Sequence, residues 1–581
     1  MFLKRIDVRK DGKAHTYWAL VESVRTERGP RHRVVSYLGE LKASEENRWA
    51  RLAREGTAAA GQSELFHDPS GAPEYVMVDV KGLRIKRVRE FGRAWLGVHL
   101  WHLLDLGGFF ERAMPEGREE ISWGVMAEIL TMARFCEPGS ELSIEQRWYG
   151  KTALEDLVGV PVEKVNTDRL YRALDQLMPQ KDKLERHLKE RLGSLFDLKF
   201  DVLLYDVTST FFEGQAERNP QAKRGYSRDQ RFDCKQVCIA LVVTPDGLPL
   251  AYEVFDGNRT DVTTVEDIVE TVEKKYGKAE RVWVMDRGMV SEDNLEFLRE
   301  RGGRYLVGTP KQSLRRFEAH LTDRDWLEVR PGVDVKTVPS PEGDETFILC
   351  RSKDRGEKER AMYDRFFQRI HKKLSRMQES IAKGGTKNAS RIERRIGALF
   401  AQNSRAAKSF DVELKRSGKT LRLEWSVNKE REEWARLSEG CYLLRTNLTN
   451  RDPAELWKTY IQLTEAEAAF RTLKSDLVIR PIWHQKEERV QAHILVCFLA
   501  YALWKTLQQW MRNVGLGTSP RALLDHVDGL KAVDVELPTR SGKSLALCCI
   551  TDPDPALAQL LQKLQLKPPR RIRPNGFEVL V

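Results

Sequence analysis

Two short apolar runs in the middle of the chain each end on an aspartate: Val202-Leu203-Leu204-Tyr205 before Asp206, and Val282-Trp283-Val284-Met285 before Asp286. Unbroken runs of branched and aromatic residues predict strands buried on both faces, and such strands belong to sheets covered by helices. The surrounding pattern agrees. Residues 236–243 predict a second strand and 249–254 a third, joined by hairpin chemistry at Thr244-Pro245-Asp246-Gly247. A helix is predicted over 263–276, then a strand over 281–286, a helix over 294–301 and a strand over 304–308. That order makes an α/β layer with mixed strand directions.

The 581 residues leave room for about three to five structural units. Residues 1–73 are expected to form a small β/α unit, with alternating stretches such as Arg33-Val34-Val35-Ser36-Tyr37-Leu38 and a linker at Asp68-Pro69-Ser70-Gly71-Ala72-Pro73. Residues 74–198 are expected to be mainly helical. Val125, Ile129 and Met132 share a face, as do Leu170, Leu174 and Leu177 behind an N-cap at Asn166 or Thr167. A turn at Gly159-Val160-Pro161 fits a helix-turn-helix with Arg169 and Arg172 as DNA contacts, and fits an ordinary helical hairpin better. The α/β domain comes in two parts, 199–310 and 441–515, around an inserted β-rich and helical module at 311–440. A C-terminal region, 516–581, carries the basic tail Lys567-Pro568-Pro569-Arg570-Arg571-Ile572-Arg573.

The formal net charge of +11 is unevenly spread. Between Lys353 and Phe400 stand 14 Lys/Arg against 6 Asp/Glu, a concentration inside the inserted module that points to a polyanionic partner. Eight cysteines without paired metal-site spacing suggest free thiols in a reducing cytoplasm. The N-terminus lacks an apolar signal core, and the apolar run Ile494 to Trp504 is 11 residues long where a membrane span takes about 20, so no membrane partner is expected. Thr539-Arg540-Ser541-Gly542-Lys543-Ser544 ends like a phosphate-binding loop, but Leu537 stands where that loop needs glycine.

Asp206 and Asp286, closing neighbouring buried strands, would face one crevice at the strand ends, where open α/β sheets bind ligands. Two carboxylates so close repel unless a cation stands between them, and hard oxygen donors suit Mg²⁺. Either aspartate alone could instead cap its turn. A third carboxylate is expected on a single helix from Asp452 to about Leu477, where Tyr460, Leu463, Glu467, Arg471 and Lys474 line one face. Glu467 lies mid-stripe and Lys474 about 10 Å further along the axis, which suits a carboxylate for a metal beside a lysine for a phosphate.

These residues carry a family likeness. Tyr460-x2-Leu463-x3-Glu467-x6-Lys474 resembles the Y-x2-R-x3-E-x6-K signature of DDE transposases of the insertion-sequence-4-like group, with Leu463 in place of Arg. Leu204-Tyr205-Asp206-Val207-Thr208-Ser209-Thr210 and Val284-Met285-Asp286-Arg287-Gly288-Met289 resemble the blocks around the first two acids. Gly225-Tyr226-Ser227-Arg228-Asp229-Gln230-Arg231 resembles the group's G-x-S-K-D-x-R segment, and Gly257-Asn258-x2-Asp261 its G-N-x2-D. The likeness spans about residues 199–510.

The resemblance implies a ribonuclease-H-like, mixed-sheet α/β catalytic domain. Asp206, Asp286 and Glu467 would bind two Mg²⁺ ions, with Mn²⁺ able to substitute, for in-line displacement at phosphorus by water or a DNA 3′-hydroxyl. Tyr460, Arg471, Lys474, Arg287 and Lys311 would meet DNA, and the inserted module would hold its backbone. Trp425 and Trp326 in that module fit base stacking, and fit core packing better. The partners implied are double-stranded DNA, both the element's terminal repeats and its target, and a second copy of the chain in the synaptic complex. The place of work would be the cytoplasm, at the nucleoid. A metal-dependent nuclease without strand transfer, or a DNA-binding regulator that leaves its acids unused, stays open on these residues.

Overall fold

The computed structural model describes residues 2–10, 13–26, 29–39, 78–114, 117–278, 280–340, 343–385, 388–417, 420–538, 544–572 and 579–580. The chain divides into two compact units, residues 1–279 with 464–581 and residues 280–463.

In the first unit, β1 (Phe2–Lys10), β2 (Lys13–Thr26) and β3 (Gly29–Gly39) form an antiparallel meander, in keeping with the alternating sequence there. The polar stretch after it and the linker at 68–73 lie outside the described residues. β4 (Arg84–Glu90) leads into α1 (Gly92–Leu103), α2 (Trp123–Cys136), α3 (Thr167–Leu177) and α4 (Lys181–Phe196). Asn166 caps α3 by accepting from the Arg169 N–H at 2.9 Å. Leu170, Ala173, Leu174 and Leu177 form its buried side, and α3 packs on α2. The helix before the Gly159 turn has only five residues.

β5 (Val202–Phe211), β6 (Gln236–Val243) and β7 (Pro249–Asp256) then pair antiparallel. Asp206 was expected to close its strand, and it does not. Val207, Thr208 and Thr210 are β-branched, and the ladder to β6 continues from Leu204↔Val243 to Phe211↔Gln236, which leaves the acid within β5. α5 (Val265–Tyr276) follows.

In the second unit, β8 (Val282–Met285) and β9 (Arg304–Gly308) pair parallel, with α6 (Glu292–Glu300) between them in sequence. β10 (Leu327–Arg330), β11 (Val333–Ser340) and β12 (Gly343–Ser352) add antiparallel strands. The basic block becomes α7 (Lys353–Ala382) and α8 (Ala389–Gln402), on either side of Gly384-Gly385. In α7, Tyr363, Ile370, Leu374, Met377 and Ile381 recur at helical spacing and are buried against the hairpin β13 (Phe410–Ser417) and β14 (Thr420–Val427). β15 (Cys441–Thr446) joins β12 to β9, and α9 (Pro453–Ile461) closes the unit, with Asp452 accepting from the Ala454 N–H as its cap.

The chain returns to the first unit with α10 (Thr464–Ser475) and α11 (Glu487–Asn513). The single helix expected over 452–477 is therefore two. Leu463 is buried, 7 % exposed, at the break, and Thr464 opens a new first turn with Glu465 and Glu467 in it. α11 is long and apolar enough to cross a membrane by length and composition, but 94 % of that apolar window is buried inside the protein, against α2, α3 and β7. β16 (Lys531–Pro538) pairs antiparallel with β4 and with β17 (Ser544–Ile550), and Arg571-Ile572 of the basic tail adds β18 (Arg571–Ile572) to β17. Residues 539–543, which hold the glycine-lysine pair, lie outside the described residues. Their flanks are paired antiparallel strands and not the strand-to-helix step that a phosphate-binding loop requires.

Candidate active site

β5 positions Asp206. Tyr205 and Val207 on either side are buried, Tyr205 Oη lies 2.6 Å from Thr264 Oγ1, and the Val207 N–H donates to Asp206 Oδ1 at 2.8 Å. α10 packs on β5 and β6 with Ala466, Ala469, Phe470 and Leu473 as its buried face. Glu467 lies off that face, exposed, in the first turn, where the helix dipole favours an anion. One strand and the helix packed on it thus carry two of the three expected acids.

Lys474, nearer the end of α10, is only 13 % exposed, and its Nζ is 3.0 Å from Asp229 Oδ1. Burial and the charge of Arg228 push its ammonium down to about 8, against the pull of Asp206. Arg480, in the loop after α10, pairs with the same carboxylate oxygen. Arg471 is exposed.

The two short motifs around Asp229 interlock. A Cβ on Gly225 would stand 2.2 Å from the Gly257 carbonyl oxygen, and one on Gly257 would stand 1.9 Å from that of Gln236, so both close approaches require glycine. Gln236 Nε2 donates to the carbonyls of Tyr226 at 3.1 Å and Gly257 at 2.7 Å. Arg228 pairs with Asp261, Ser227 Oγ accepts from the Arg231 N–H at 3.0 Å, and Arg231 spans Glu213 and Asp233. Asp229 alone in this segment takes its partners from α10 and the loop beyond it. The sequence singled out the segment without giving Asp229 a role, and nothing around Arg480 marked that residue at all.

In the second unit Asp286 directly follows β8 and is exposed. Tyr460, on α9, points its Oη at Asp286 Oδ1 across 3.5 Å. Burial and then the Asp286 charge hold the Tyr460 phenol well above its ordinary range. Tyr460 therefore belongs with Asp286, while Glu467 and Lys474 sit on the following helix, so the five residues do not share a single helix. Arg287 is exposed, whereas Lys311 is tied to Glu359 at 2.7 Å. Among the cations expected in the N-terminal region, Arg169 pairs with Glu120 at 3.0 Å and Arg172 is exposed.

The inserted module keeps its tryptophans for packing. Trp425 lies against the apolar core under α7 and donates from Nε1 to Gln378 Oε1 at 3.2 Å. Trp326 packs on a second core, donates to the Asp323 carbonyl at 3.0 Å and is covered by Arg351. Between α7 and α8 lies a cavity of about 420 Å³ with Lys373, Arg376 and Arg395 on its walls and Met377, Ile392 and Leu399 among its apolar lining. No acid lines it, and among the described residues none of those three cations is in an ion pair.

Among the described residues one buried set, Glu141, His484 and His493, has ligand atoms within 4.8 Å of one another. Its chemistry does not suit a cation. Arg134 Nη2 stands 3.4 Å from His493 Nδ1, and His493 Nε2 lies 3.1 Å from the Ile479 carbonyl, so both ring nitrogens are engaged and a guanidinium shares the site. Burial, then the Arg134 charge, push His493 down to about 3. Arg134 Nη1 also donates to the Val478 carbonyl at 3.1 Å, which makes this a buried polar brace for the loop after α10.

Comparison with known proteins gives a family. The model described as the transposase DDE domain matches residues 199–503, more than half of the chain. A second, described as the N-terminal domain of IS1634 family transposases, matches residues 3–68. No curated protein matches. Among solved structures, the cryo-EM structure of a piggyBac transposase synaptic complex with hairpin DNA is similar at 8 % identity and a TM-score of 0.35, covering 78 % of this chain and 82 % of that one.

Proposed function

This chain belongs to the family of transposases with a DDE domain, and from that membership we propose that Asp206, Asp286 and Glu467 are its three metal-binding acids. It is a DNA transposase with a ribonuclease-H-like α/β domain, a polynucleotidyl transferase by family. DDE domains generally use divalent metal ions. The donor set fits such ions: three carboxylates, two of them exposed, with no histidine or thiol in the set. Mg²⁺ suits all-oxygen donors of this kind, as two ions with Mn²⁺ as a substitute. Bound there, the ions would supply Lewis-acid activation of a water or 3′-hydroxyl and charge stabilisation at the leaving oxygen.

The chain's own residues do the rest. Tyr460 holds the Asp286 carboxylate from one side through its hydroxyl. Lys474, Arg471 and Arg287 are cations for phosphates near the acids, and Lys311 joins them if DNA competes with Glu359. The module at 311–440 holds the DNA backbone with Lys373, Arg376 and Arg395 of α7 and α8. Arg169 and Arg172 contribute in the N-terminal region. Two copies of the chain would hold two element ends on duplex DNA at the nucleoid. The finer placement, in the insertion-sequence-4-like group, rests on the Tyr460-to-Lys474 spacing and the two interlocked motifs.

The observation that supports this best is the packing of α10, which carries Glu467, on β5, which carries Asp206. Substituting any one acid by Ala should abolish cleavage of an element-end duplex and leave end binding largely intact. Undiminished cleavage by Asp286→Ala would defeat the assignment. Pre-cut ends supplied with a target plasmid should yield joined products, which hydrolysis alone would not.

A further inference from the structure

We propose that Lys474 and Arg480, bridged by Asp229, form a clamp for one phosphodiester of the bound DNA, with Asp229 as the residue that positions it. The clamp deepens the function proposed above and rests on it. In the segment 225–231, Ser227 is used within the segment, and Gly225, Arg228 and Arg231 are used against its neighbours Gly257, Asp261 and Glu213. Asp229 is used in neither way. Its side chain is 9 % exposed, and one oxygen, Oδ1, serves both the Lys474 ammonium at 3.0 Å and the Arg480 guanidinium.

That arrangement is unbalanced in a useful way. One buried carboxylate faces two cations, so a unit of positive charge is left over at the bridge. A single acceptor takes one donor from each cation. Lys474 keeps two further N–H donors and Arg480 keeps the other edge of its fork, the geometry that suits a phosphate. Among the described residues no hydrogen bond reaches Asp229 Oδ2, although that atom is buried. The second oxygen gives either cation a place to shift onto when a phosphate draws it, so the pair can re-aim without losing its counter-charge.

The bridge is also reachable. Asp229 and Arg480 line an open cleft of about 430 Å³ with Phe211, Arg228, Gln230 and Arg231, ample for a phosphodiester. Asp229 further ties the end of α10 to the loop beside β5 and β6, so it fixes the cations on the same helix that carries Glu467. A carboxylate this close to DNA would repel it if that were its whole effect. Its use here is to hold two desolvated cations where a backbone can find them.

The test uses the full chain with duplexes of the DNA flanking its gene, scanned with single neutral methylphosphonates. In the wild type one methylphosphonate position should slow cleavage about tenfold, and in Arg480→Gln that same position should cost clearly less, only the share of Lys474 being left. Asp229→Asn, assayed well below its own melting temperature, should lower the cleavage rate at saturating DNA by about 10- to 100-fold, despite the charge it adds. Additive effects at every methylphosphonate position, or Asp229→Asn cleavage within twofold of wild type, would overturn the clamp. Glu467→Gln, run alongside, separates the two ideas. If it is inactive while Asp229→Asn is normal, only the clamp fails; if Glu467→Gln itself cleaves, the acid assignment fails.

Discussion

Tyr460 and Asp286 meet hydroxyl to carboxylate across 3.5 Å, and the meeting depends on a missing side chain. A Cβ on Gly308 of β9 would stand 2.5 Å from Tyr460 Oη. Tyr460→Phe should keep the packing and lose the hydroxyl, weakening metal-dependent cleavage by about 10-fold, the lower end for a partner that orients a metal ligand. Gly308→Ala must push the ring aside, so it should cost at least as much. A cleavage assay across Mg²⁺ concentrations checks both, and a Tyr460→Phe enzyme with wild-type Mg²⁺ dependence and rate would deny the tyrosine any such part.

Leu463 occupies the place where the insertion-sequence-4-like signature that this stretch resembles has arginine, yet it is 7 % exposed at the break between α9 and α10. Restoring the signature with Leu463→Arg should therefore harm the protein. Burying an unpaired guanidinium there is expected to cost about 2–4 kcal/mol and to lower the melting temperature without improving DNA binding. A stable Leu463→Arg protein that binds ends more tightly would show that the site can open to phosphate.

That break marks where sequence reasoning stopped working. The strand at 236–243 and the strand at 304–308 were legible to the residue, because continuous apolar runs bounded by turn residues leave few alternatives. The α9–α10 break was not, since Tyr460, Leu463, Glu467 and Lys474 keep helical spacing across it. β5 was cut short because Thr208-Ser209-Thr210 reads as polar loop, although all three are buried. β16 and β17 went unseen because β16 pairs with β4, more than 400 residues away, and such pairing leaves no local trace. α11 showed only its apolar centre, its flanks being buried polar residues such as His493, Lys505 and Gln509. The three candidate acids stood out in sequence as residue types in context; the pairing of Asp229 with Lys474 and Arg480 did not, because its members are distant in sequence.

Glu128 predicts a pH dependence of stability. It sits in α2 at 8 % exposure, no hydrogen bond among the described residues reaches its Oε1, and burial pushes its carboxyl up to about 8. An acid whose folded pKa is raised binds its proton more tightly when folded, so its stabilising effect is full below about pH 4.5 and is lost progressively as pH rises toward 8. Glu128→Gln mimics the protonated form and should remove that slope. Calorimetry of the full chain should find the variant more stable than wild type at pH 8 by up to a few kcal/mol, at about 1.4 kcal/mol per unit of pKa shift, and equal to it at pH 4. Parallel pH profiles would mean that water or a partner satisfies the charge.

The cavity between α7 and α8 should act on DNA through charge count alone. Lys373, Arg376 and Arg395 line it without an acid among the lining residues, in contrast to Lys311, Arg169 and Arg231, which are all ion-paired. Cations that no internal acid neutralises are the ones that release counterions from DNA when it binds. Replacing all three by Gln should weaken end binding and non-specific binding together and flatten the plot of log affinity against log salt by about two to three units. The apolar lining contributes to the core under α7, so Gln at these wall positions should leave the melting temperature unchanged. Metal dependence should also stay as in wild type, since the acids of β5 and α10 are not touched. A triple variant with the wild-type salt slope would remove the cavity from the DNA path and leave the net charge of the module as a matter of solubility.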